Sequence, residues 1–400
     1  MKNTENSFHF DPTKNRAETS DDIHQENLAV QACDALEAIY ATGVYPEITV
    51  TRSWSRHNPV VSGEMASPAT FRWFLQREMK KLIRLGAGIE IQPSRPCLAL
   101  SDPRLFDQID EEEWDITQKK MFLFSPERIE LSLNRLEHYT GTDPRDFQRN
   151  ILFTNYNMHI EVFRELFPDA KGPERDVQMP AFHAVLPDNQ GFSLVNIGVG
   201  PSNAKTITDH VAVLRPDLIV MVGHCGGLRN HQEIGDFVLA TGFMRRDKVL
   251  DEALPVGIPI IPNYVLNRFL MEALERHQFQ YRLGTVFSTD NRNWEFMKRK
   301  TVEEIHQSRS VAIDMESATV ATNGYRYRIP FATLLSVSDK PLHGKPKLSG
   351  PAVEFYAKSK REHLQVVIEA IQLTRQVHPE GLPNASIRAT NEPLFGGPKD

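Results

Sequence analysis

The chain has 400 residues, of which 40% are hydrophobic and 24% charged, a composition typical of a soluble globular protein with two or three domains. Its net charge of −6 argues against nucleic acid as the main partner, because proteins that bind nucleic acid usually carry a basic face. Three scattered cysteines without a CxxC pair, no apolar leader and no run of 18 apolar residues predict a cytoplasmic protein without disulfides or a membrane span.

The first part of the chain predicts a small domain behind a polar arm. Residues 1–22 are polar and lack periodicity, so we predict a disordered arm. Amphipathic helices are predicted over residues 27–40 and from Ser67-Pro68 to Gly86, with short strands around them. Residues 23–147 are therefore predicted to form an α+β domain. Four arginines offer either a site for an anionic ligand or an ordinary charged surface: Arg52, Arg56, Arg72 and Arg95.

From residue 150 onward, apolar strands alternate regularly with amphipathic helices. The segment 218–223 is apolar throughout, which is typical of a buried parallel strand. A long helix over residues 353–377 ends the pattern, and a Pro/Gly-rich stretch follows it. This alternation predicts a single α/β domain over residues 148–377 and a flexible tail over residues 378–400.

Two carboxylates follow strands in the last third of this domain. A strand over 311–313, a helix over 318–325 and a strand over 331–337 predict a βαβ unit with parallel strands. Glu316 and Asp339 each come just after a strand, and ligands of α/β sheets bind at the carboxyl ends of strands. We therefore expect both carboxylates to face one crevice.

Glycines follow two further strands, at Gly198 and Gly200 and in the segment from Gly223 to Gly227. They allow backbone amides to approach a ligand closely, although a tight turn is the simpler interpretation. Neither segment matches a P-loop or GxGxxG, which excludes nucleoside triphosphate and dinucleotide sites of those kinds. His224 could act as an acid or base, bind phosphate or sugar, or form a structural hydrogen bond. Cys225 is interpreted as a packing residue.

The absence of other motifs narrows the chemistry further. No GxSxG, HExxH, HxxEH or CxxC pattern occurs, so we expect neither a serine nucleophile of the hydrolase type nor a bound metal. Two carboxylates beside a glycine-lined pocket suit the cleavage of an N-glycosidic bond, whose transition state resembles an oxocarbenium ion.

In such a reaction, Asp339 would protonate N7 of a purine, which requires burial or a neighbouring like charge to keep its proton near neutral pH. Ionised Glu316 would accept hydrogen bonds from the ribose hydroxyls. The structural alternatives are a helix N-cap for Glu316 and a turn residue for Asp339. The residues alone do not decide between these readings.

The segment Asp314-Met315-Glu316, followed by a strand that ends in Ser338-Asp339, resembles the signature of the nucleoside phosphorylase/nucleosidase superfamily. A closer likeness, over about residues 130–375 and more loosely from residue 25, is to the AMP nucleosidase family with its extra N-terminal domain. It is carried by LEHYTGT (136–142), LFTNYNMH (152–159), GVGPSNAKTITDHVAVLRPD (198–217), VGHCGGLRNHQEIGDFVLA (222–240) and LLSVSDKPLHGKPKLSG (334–350).

This resemblance implies a three-layer catalytic domain with a central mixed sheet and the hydrolysis of AMP to adenine and ribose 5-phosphate. It matches Asp339 to the acid at purine N7, and Met315 and Glu316 to the ribose-contacting pair. Related phosphorylases usually bind phosphate with an Arg and a Ser where this chain has Met221 and His224. The resemblance therefore favours water as the nucleophile, and we infer that His224 orients it.

The remaining expectations concern ligands and assembly. The resemblance implies a homohexamer that needs no cofactor and is controlled by MgATP and phosphate through the N-terminal domain. A purine nucleoside phosphorylase or a nucleosidase for unphosphorylated nucleosides is the alternative function, and a catalytically silent nucleotide-binding regulator is a third. The expected substrate-binding groups are the glycine turn and three basic residues for the 5′-phosphate: Gly223, Gly226, Gly227, Arg229, Lys345 and Lys347.

Overall fold

The computed structural model describes residues 7–12, 21–51, 60–109, 121–346, 349–379 and 381–382, without the side chains of residues 297–298 and 349–360. The described residues up to Arg135 form one compact unit, and those from Leu136 onward form a second. The division lies earlier than the predicted boundary after residue 147. The reason is that Thr142 hydrogen-bonds His183 (Oγ1 to Nε2, 2.8 Å), which ties this segment to the second unit.

The first unit contains a four-stranded antiparallel sheet in the order β1-β4-β2-β3, beside which helices α1 and α2 pack against each other. Helix α4 runs across the division between the units. The elements are β1 (Phe8–Phe10), α1 (Asp22–Ala41), β2 (Val44–Thr51), β3 (Val60–Glu64), α2 (Arg72–Arg84), β4 (Gly88–Pro96), α3 (Arg104–Gln108) and α4 (Pro126–Thr140).

The structure bears on two predictions for this unit, the disordered arm and the four arginines. The prediction of a disordered arm is wrong at residues 8–10, because β1 pairs with β4 and buries the side chain of Phe10. Arg72 forms ion pairs with two carboxylates of α1, and Arg95 forms ion pairs with Glu64 (2.9 Å) and the buried Glu127 (2.6 Å). These two arginines are therefore engaged within the unit, while Arg52 and Arg56 lie outside the described residues.

The second unit contains an eight-stranded mixed sheet in the order β11-β10-β9-β12-β8-β5-β7-β6. Its elements are β5 (Asn150–Thr154), α5 (Asn157–Leu166), β6 (Ala181–Ala184), β7 (Phe192–Asn196), α6 (Pro201–Val211), β8 (Leu218–Gly227), β9 (Phe237–Arg246), α7 (Tyr264–Arg276), β10 (Tyr281–Thr289), α8 (Lys298–Ser308), β11 (Ala312–Asp314), α9 (Ser317–Arg326), β12 (Phe331–Asp339) and α10 (Ser349–Val377).

The main hydrophobic core lies between the sheet and one layer of helices. Leu218, Val220 and Val222 point from one face of β8 into this core, where they meet apolar side chains of α5, α7 and α10. Helices α6 and α9 pack against each other, and α9 also contacts β8, β9, β10 and β12. None of the described helices is long and apolar enough to span a membrane.

The predicted parallel βαβ unit is wrong in its strand direction. β12 runs parallel to β8, whereas β11 pairs antiparallel with the end of β8, so β11 and β12 run in opposite directions. β5 pairs with β8 only as far as Met221, which leaves the carboxyl end of β8 open to β11. Gly226 consequently lies between Ile313 of β11 and Asp339 of β12. This closure of the sheet brings the two carboxylate-bearing segments together.

Candidate active site

Glu316 lies between β11 and α9 and is only 1% exposed. Its Oε1 accepts a hydrogen bond from the backbone N–H of Gly200 (2.6 Å), and its Oε2 accepts one from Nδ2 of Asn155 (3.2 Å). Gly200 has a φ of 114°, a conformation that favours glycine and that turns its N–H toward the carboxylate. Two segments distant in the sequence therefore fix the orientation of this side chain.

The structural role of a helix cap belongs to Asp314 instead. Its Oδ2 accepts a hydrogen bond from the backbone N–H of Ser317 (2.9 Å) at the start of α9, and its Oδ1 accepts one from Oγ of Ser288 (2.5 Å). The side chain of Glu316 makes no capping bond to the helix. Glu316 therefore occupies the N-cap position, as the structural alternative predicted, but its side chain does not cap the helix and its carboxylate lines the cavity.

Burial, and after it the nearby carboxylate of Asp314, raises the pKa of Glu316 to about 8, although the N–H groups of Gly200 and Asn155 act in the opposite direction. Burial also raises the pKa of Asp314. The raised pKa favours the protonated form of Glu316 at neutral pH. Additional donors to its oxygens, such as sugar hydroxyls, would favour the ionised form.

Asp339 is the last residue of β12 and is partly buried. A register shift between Val337 and Asp339 interrupts the pairing with β8, and irregularities of this kind re-aim side chains at the ends of strands. Oγ of Ser338 donates a hydrogen bond to Oδ1 of Asp339 (2.5 Å). The next residue, Lys340, is buried and donates through Nζ to the carbonyl of Asn230 (2.8 Å), which anchors the segment.

Both carboxylates line a single cavity of about 540 Å³, a volume within the range of small-molecule sites. The other lining residues come from β8, β11 and the ends of β10 and β12, and from the segments that follow β5, β7, β10, β11 and β12. They are Asn155, Tyr156, Val199, His224, Cys225, Gly226, Thr289, Asn291, Arg292, Asn293, Trp294, Glu295, Ile313, Asp314, Met315, Ser338 and Pro341.

Comparison with known proteins places this chain in a family. Residues 159–372 match the model of the Phosphorylase superfamily. The AMP nucleosidase of Escherichia coli K12 is 39% identical, over 88% of this chain and 89% of that protein. This chain belongs to the AMP nucleosidase family. The 5′-methylthioadenosine/S-adenosylhomocysteine nucleosidase of Staphylococcus carnosus is 26% identical over 53% of this chain and 94% of its own length.

Solved structures confirm the predicted fold of the catalytic domain. The AMP nucleosidase from Bacteroides thetaiotaomicron superposes on this chain with a TM-score of 0.53 at 29% identity. The match covers 62% of this chain and 99% of that one. A uridine phosphorylase from Vibrio fischeri superposes with a TM-score of 0.52 at 14% identity, over 60% of this chain and 100% of that one, and shares the fold alone.

Among the glycines predicted to bind substrate, Gly226 lines the cavity of this AMP nucleosidase family member, whereas Gly223 and Gly227 do not. A Cβ on Gly227 would lie 2.9 Å from Cγ1 of Val337, and one on Gly223 would lie 3.0 Å from Cε of Met221. These two glycines permit close packing around β8. Met315, also predicted from the family signature, lines the cavity beside Glu316.

The basic residues predicted for the 5′-phosphate are not brought to the cavity. Lys345 is exposed and forms an ion pair with Glu233 (3.3 Å), and Arg229 lies outside the lining with its N–H bonded to Gln232 (2.8 Å). Lys347 lies outside the described residues. Arg292 in the loop after β10 is the single Lys or Arg among the described lining residues. Sequence reasoning missed it because this loop carries no recognisable motif.

His224 is buried in β8 and lines the cavity. Its ring meets that of Tyr156 edge-on, with 4.5 Å between the centroids. Side chains alternate along a strand, so His224 follows Val220 and Val222 on the face of β8 that points to the helix layer. Asn155, which the sequence reasoning did not single out, lies beside Tyr156 in the segment LFTNYNMH that carried the family resemblance.

The raised pKa of Glu316 predicts that the activity of this family member depends on pH. If substrate hydroxyls bind the ionised carboxylate, kcat/KM should rise roughly tenfold per pH unit from about pH 6.5 and flatten above about pH 8, because the profile reports the free enzyme. Measurement of kcat/KM across this range tests the prediction. A profile that Glu316→Gln leaves unchanged would contradict it.

Asn155 is a positioning residue for Glu316. Asn155→Leu removes the N–H donor at 3.2 Å while retaining a similar volume, and hydrogen bonds to charged groups contribute about 1.5–3 kcal/mol. We expect kcat/KM to fall about tenfold or more and its rise with pH to move to higher pH, because the ionised form of Glu316 loses a donor. A fall without a shift of the profile would indicate a purely structural role.

Proposed function

We propose that this chain hydrolyses the N-glycosidic bond of AMP and releases adenine and ribose 5-phosphate. The observation that carries the proposal is the convergence of Glu316 and Asp339 on one cavity in a member of the AMP nucleosidase family. One carboxylate is buried and held by two N–H donors, and the other is partly exposed at a strand end. Two carboxyl groups in different environments suit two different tasks.

In the proposed reaction, Asp339 donates its proton to N7 of adenine as the bond between C1′ and N9 breaks. The electrons of that bond pass to the base, and positive charge develops at C1′. Glu316 accepts hydrogen bonds from the ribose 2′- and 3′-hydroxyls, which orients the sugar and favours its cationic state. Water attacks C1′ and loses a proton to solvent or to a cavity group, which completes ribose 5-phosphate.

The charges around the cavity support water over phosphate as the nucleophile. Met221 on β8 is uncharged and buried, and its Cε approaches Gly223. Arg292 is the single Lys or Arg among the described lining residues, so they supply a cation for one phosphate group, that of the substrate itself. His224 lines the same cavity, and we assign it the orientation of the attacking water.

Arg292 is the group that we assign to the 5′-phosphate. Arg292→Gln should lower kcat/KM for AMP by roughly 10- to 100-fold, because a charge-assisted hydrogen bond contributes about 1.5–3 kcal/mol. The slow cleavage of adenosine should be unchanged, because adenosine has no phosphate. Arg229→Gln is the matched control, since Arg229 lies outside the lining. Equal losses for AMP and adenosine would contradict the assignment.

The nucleophile can be identified by isotope. AMP cleavage in water enriched in oxygen-18 should place one heavy oxygen at C1 of ribose 5-phosphate, which mass spectrometry detects after rapid reduction of the product to block exchange. The label should appear equally with and without inorganic phosphate. Formation of ribose 1,5-bisphosphate in the presence of phosphate would instead assign the chain to phosphorolysis.

The family resemblance also supports proposals about assembly and control. We propose a homohexamer in the cytoplasm that needs no cofactor and responds to MgATP and phosphate through the N-terminal unit. Light scattering of the purified chain measures its assembly, and titration of MgATP and phosphate into the AMP assay measures its control. A monomer that neither effector changes would contradict this part.

A further inference from the structure

Three buried histidines from separate elements meet beside the cavity: His159 of α5, His224 of β8 and His363 of α10. We call them the histidine cluster. Each offers a ring nitrogen, and these nitrogens all lie within 4.8 Å of one another. The cluster lies where the apolar row of Val220 and Val222 would otherwise continue into the main core. Burying three imidazoles in a hydrophobic core costs free energy unless their polar nitrogens are bound.

The spacing of the rings matches imidazoles arranged around one metal ion. A zinc ion about 2.0–2.1 Å from a nitrogen lies about 3.2 Å from the ring centroid, so tetrahedral ligands have centroids about 5.2 Å apart. The centroids of His159 and His363 are 5.2 Å apart, and those of His159 and His224 are 5.4 Å apart. The third pair, His224 and His363, is slightly wider at 6.1 Å.

Hydrogen bonds outside the cluster orient two of its rings. Nε2 of His363 lies 2.8 Å from the carbonyl of Leu334, and since a carbonyl only accepts, Nε2 carries the hydrogen and Nδ1 the lone pair. That Nδ1 is buried without a hydrogen-bond partner among the described residues. Nδ1 of His159 lies 2.6 Å from Oγ1 of Thr154, a contact that fixes the orientation of this ring. Metal-binding histidines are typically held in this way.

Another buried histidine of the same unit, His183, illustrates a purely structural role. Both ring nitrogens of His183 are occupied, Nδ1 by Oγ of Ser193 (2.8 Å) and Nε2 by Oγ1 of Thr142 (2.8 Å). In contrast, His363 has one ring nitrogen held by the carbonyl of Leu334 and the other without a hydrogen-bond partner among the described residues.

We propose that the histidine cluster binds one divalent transition-metal ion of the zinc type through three imidazole nitrogens. This inference goes beyond the proposed function, which needs no metal. His224 belongs to both the cluster and the catalytic cavity, so a bound ion would hold the ring that we assign to the attacking water. Imidazole ligands favour Zn²⁺, Co²⁺ and Ni²⁺ over Mg²⁺, which prefers oxygen ligands.

The test measures metal rather than activity, so it is independent of the proposed function. Untagged full-length protein is equilibrated with Zn²⁺, Co²⁺ or Mg²⁺, passed through gel filtration, and analysed for metal by mass spectrometry. We expect about one Zn²⁺ or Co²⁺ per chain and no retained Mg²⁺, with visible absorption from tetrahedral Co²⁺. His159→Gln and His363→Gln should lose this ion and the absorption.

Two further variants keep the result interpretable if a ligand variant fails to fold. Thr154→Val removes the hydrogen bond to Nδ1 of His159, together with the one that Oγ1 accepts from the backbone N–H of Tyr156 (3.2 Å), while all three histidines remain. It should weaken Zn²⁺ binding about 10- to 100-fold. His183→Gln removes a buried histidine outside the cluster and should retain the ion. The proposal is overturned if wild-type protein retains no more Zn²⁺ than Mg²⁺, or if folded cluster variants, including Thr154→Val, bind Zn²⁺ like the wild type.

Discussion

Asp339→Asn is expected to lower kcat for AMP cleavage about 10²- to 10⁴-fold, the usual contribution of a general acid. Asparagine has nearly the same shape and can keep the hydrogen bond from Oγ of Ser338, so the strand end should not change. It has no proton to give to N7 of adenine. KM should change little, because the lost interaction forms only in the transition state.

A change of leaving group separates the acid role from a structural one. A ribosyl 5-phosphate substrate whose leaving group departs without protonation should be cleaved almost as fast by Asp339→Asn as by the wild type. Ser338→Ala is the control, because it removes the neighbour of Asp339 but leaves the carboxyl group. An equal loss on both types of substrate would show that Asp339 does not act as the acid.

Glu316→Gln is expected to lower kcat/KM for AMP at least about 100-fold, since it weakens two hydrogen bonds from ribose hydroxyls to a charged acceptor. The substitution also weakens hydrogen bonds within the protein. Glu316 accepts from both Gly200 and Asn155, whereas glutamine has only one acceptor oxygen, so one buried N–H would lose its partner. The loss should fall mainly on interactions with the sugar.

Comparison of AMP with 2′-deoxy-AMP tests that assignment directly. The wild type should prefer AMP. The ratio of the two kcat/KM values should shrink toward unity in Glu316→Gln, because the variant no longer binds the 2′-hydroxyl through a carboxylate. Glu295→Gln is the matched control, since Glu295 is an exposed carboxylate that lines the same cavity. A ratio that remains at the wild-type value would remove Glu316 from the ribose site.

Local patterns were sufficient to predict most elements of the catalytic domain and the two carboxylates. Asp339 ends a strand that is buried along almost its whole length, so its position at the edge of the sheet could be predicted from the apolar run alone. The direction of β11, in contrast, could not be predicted from the sequence. Three residues carry little information about pairing, and the antiparallel contact with Gly226 and Gly227 depends on where β5 ends. The carboxylates thus converge for a reason other than the predicted one.

Residues that act through distant contacts were the ones that sequence reasoning missed. Asn155 and Glu316 are 161 positions apart and meet only in the folded sheet. The histidine cluster joins three elements whose spacing matches no metal-binding motif, so a search by pattern could not find it. Arg292 stands in a loop without periodicity, and its place at the cavity is a property of the fold.

The measurement that tests the central claim most directly is the release of adenine from AMP, with adenosine as a parallel substrate, each with and without inorganic phosphate. We predict adenine and ribose 5-phosphate from AMP without any requirement for phosphate, and much slower cleavage of adenosine. Cleavage of adenosine only when phosphate is supplied would contradict the account and assign this cavity to a nucleoside phosphorylase.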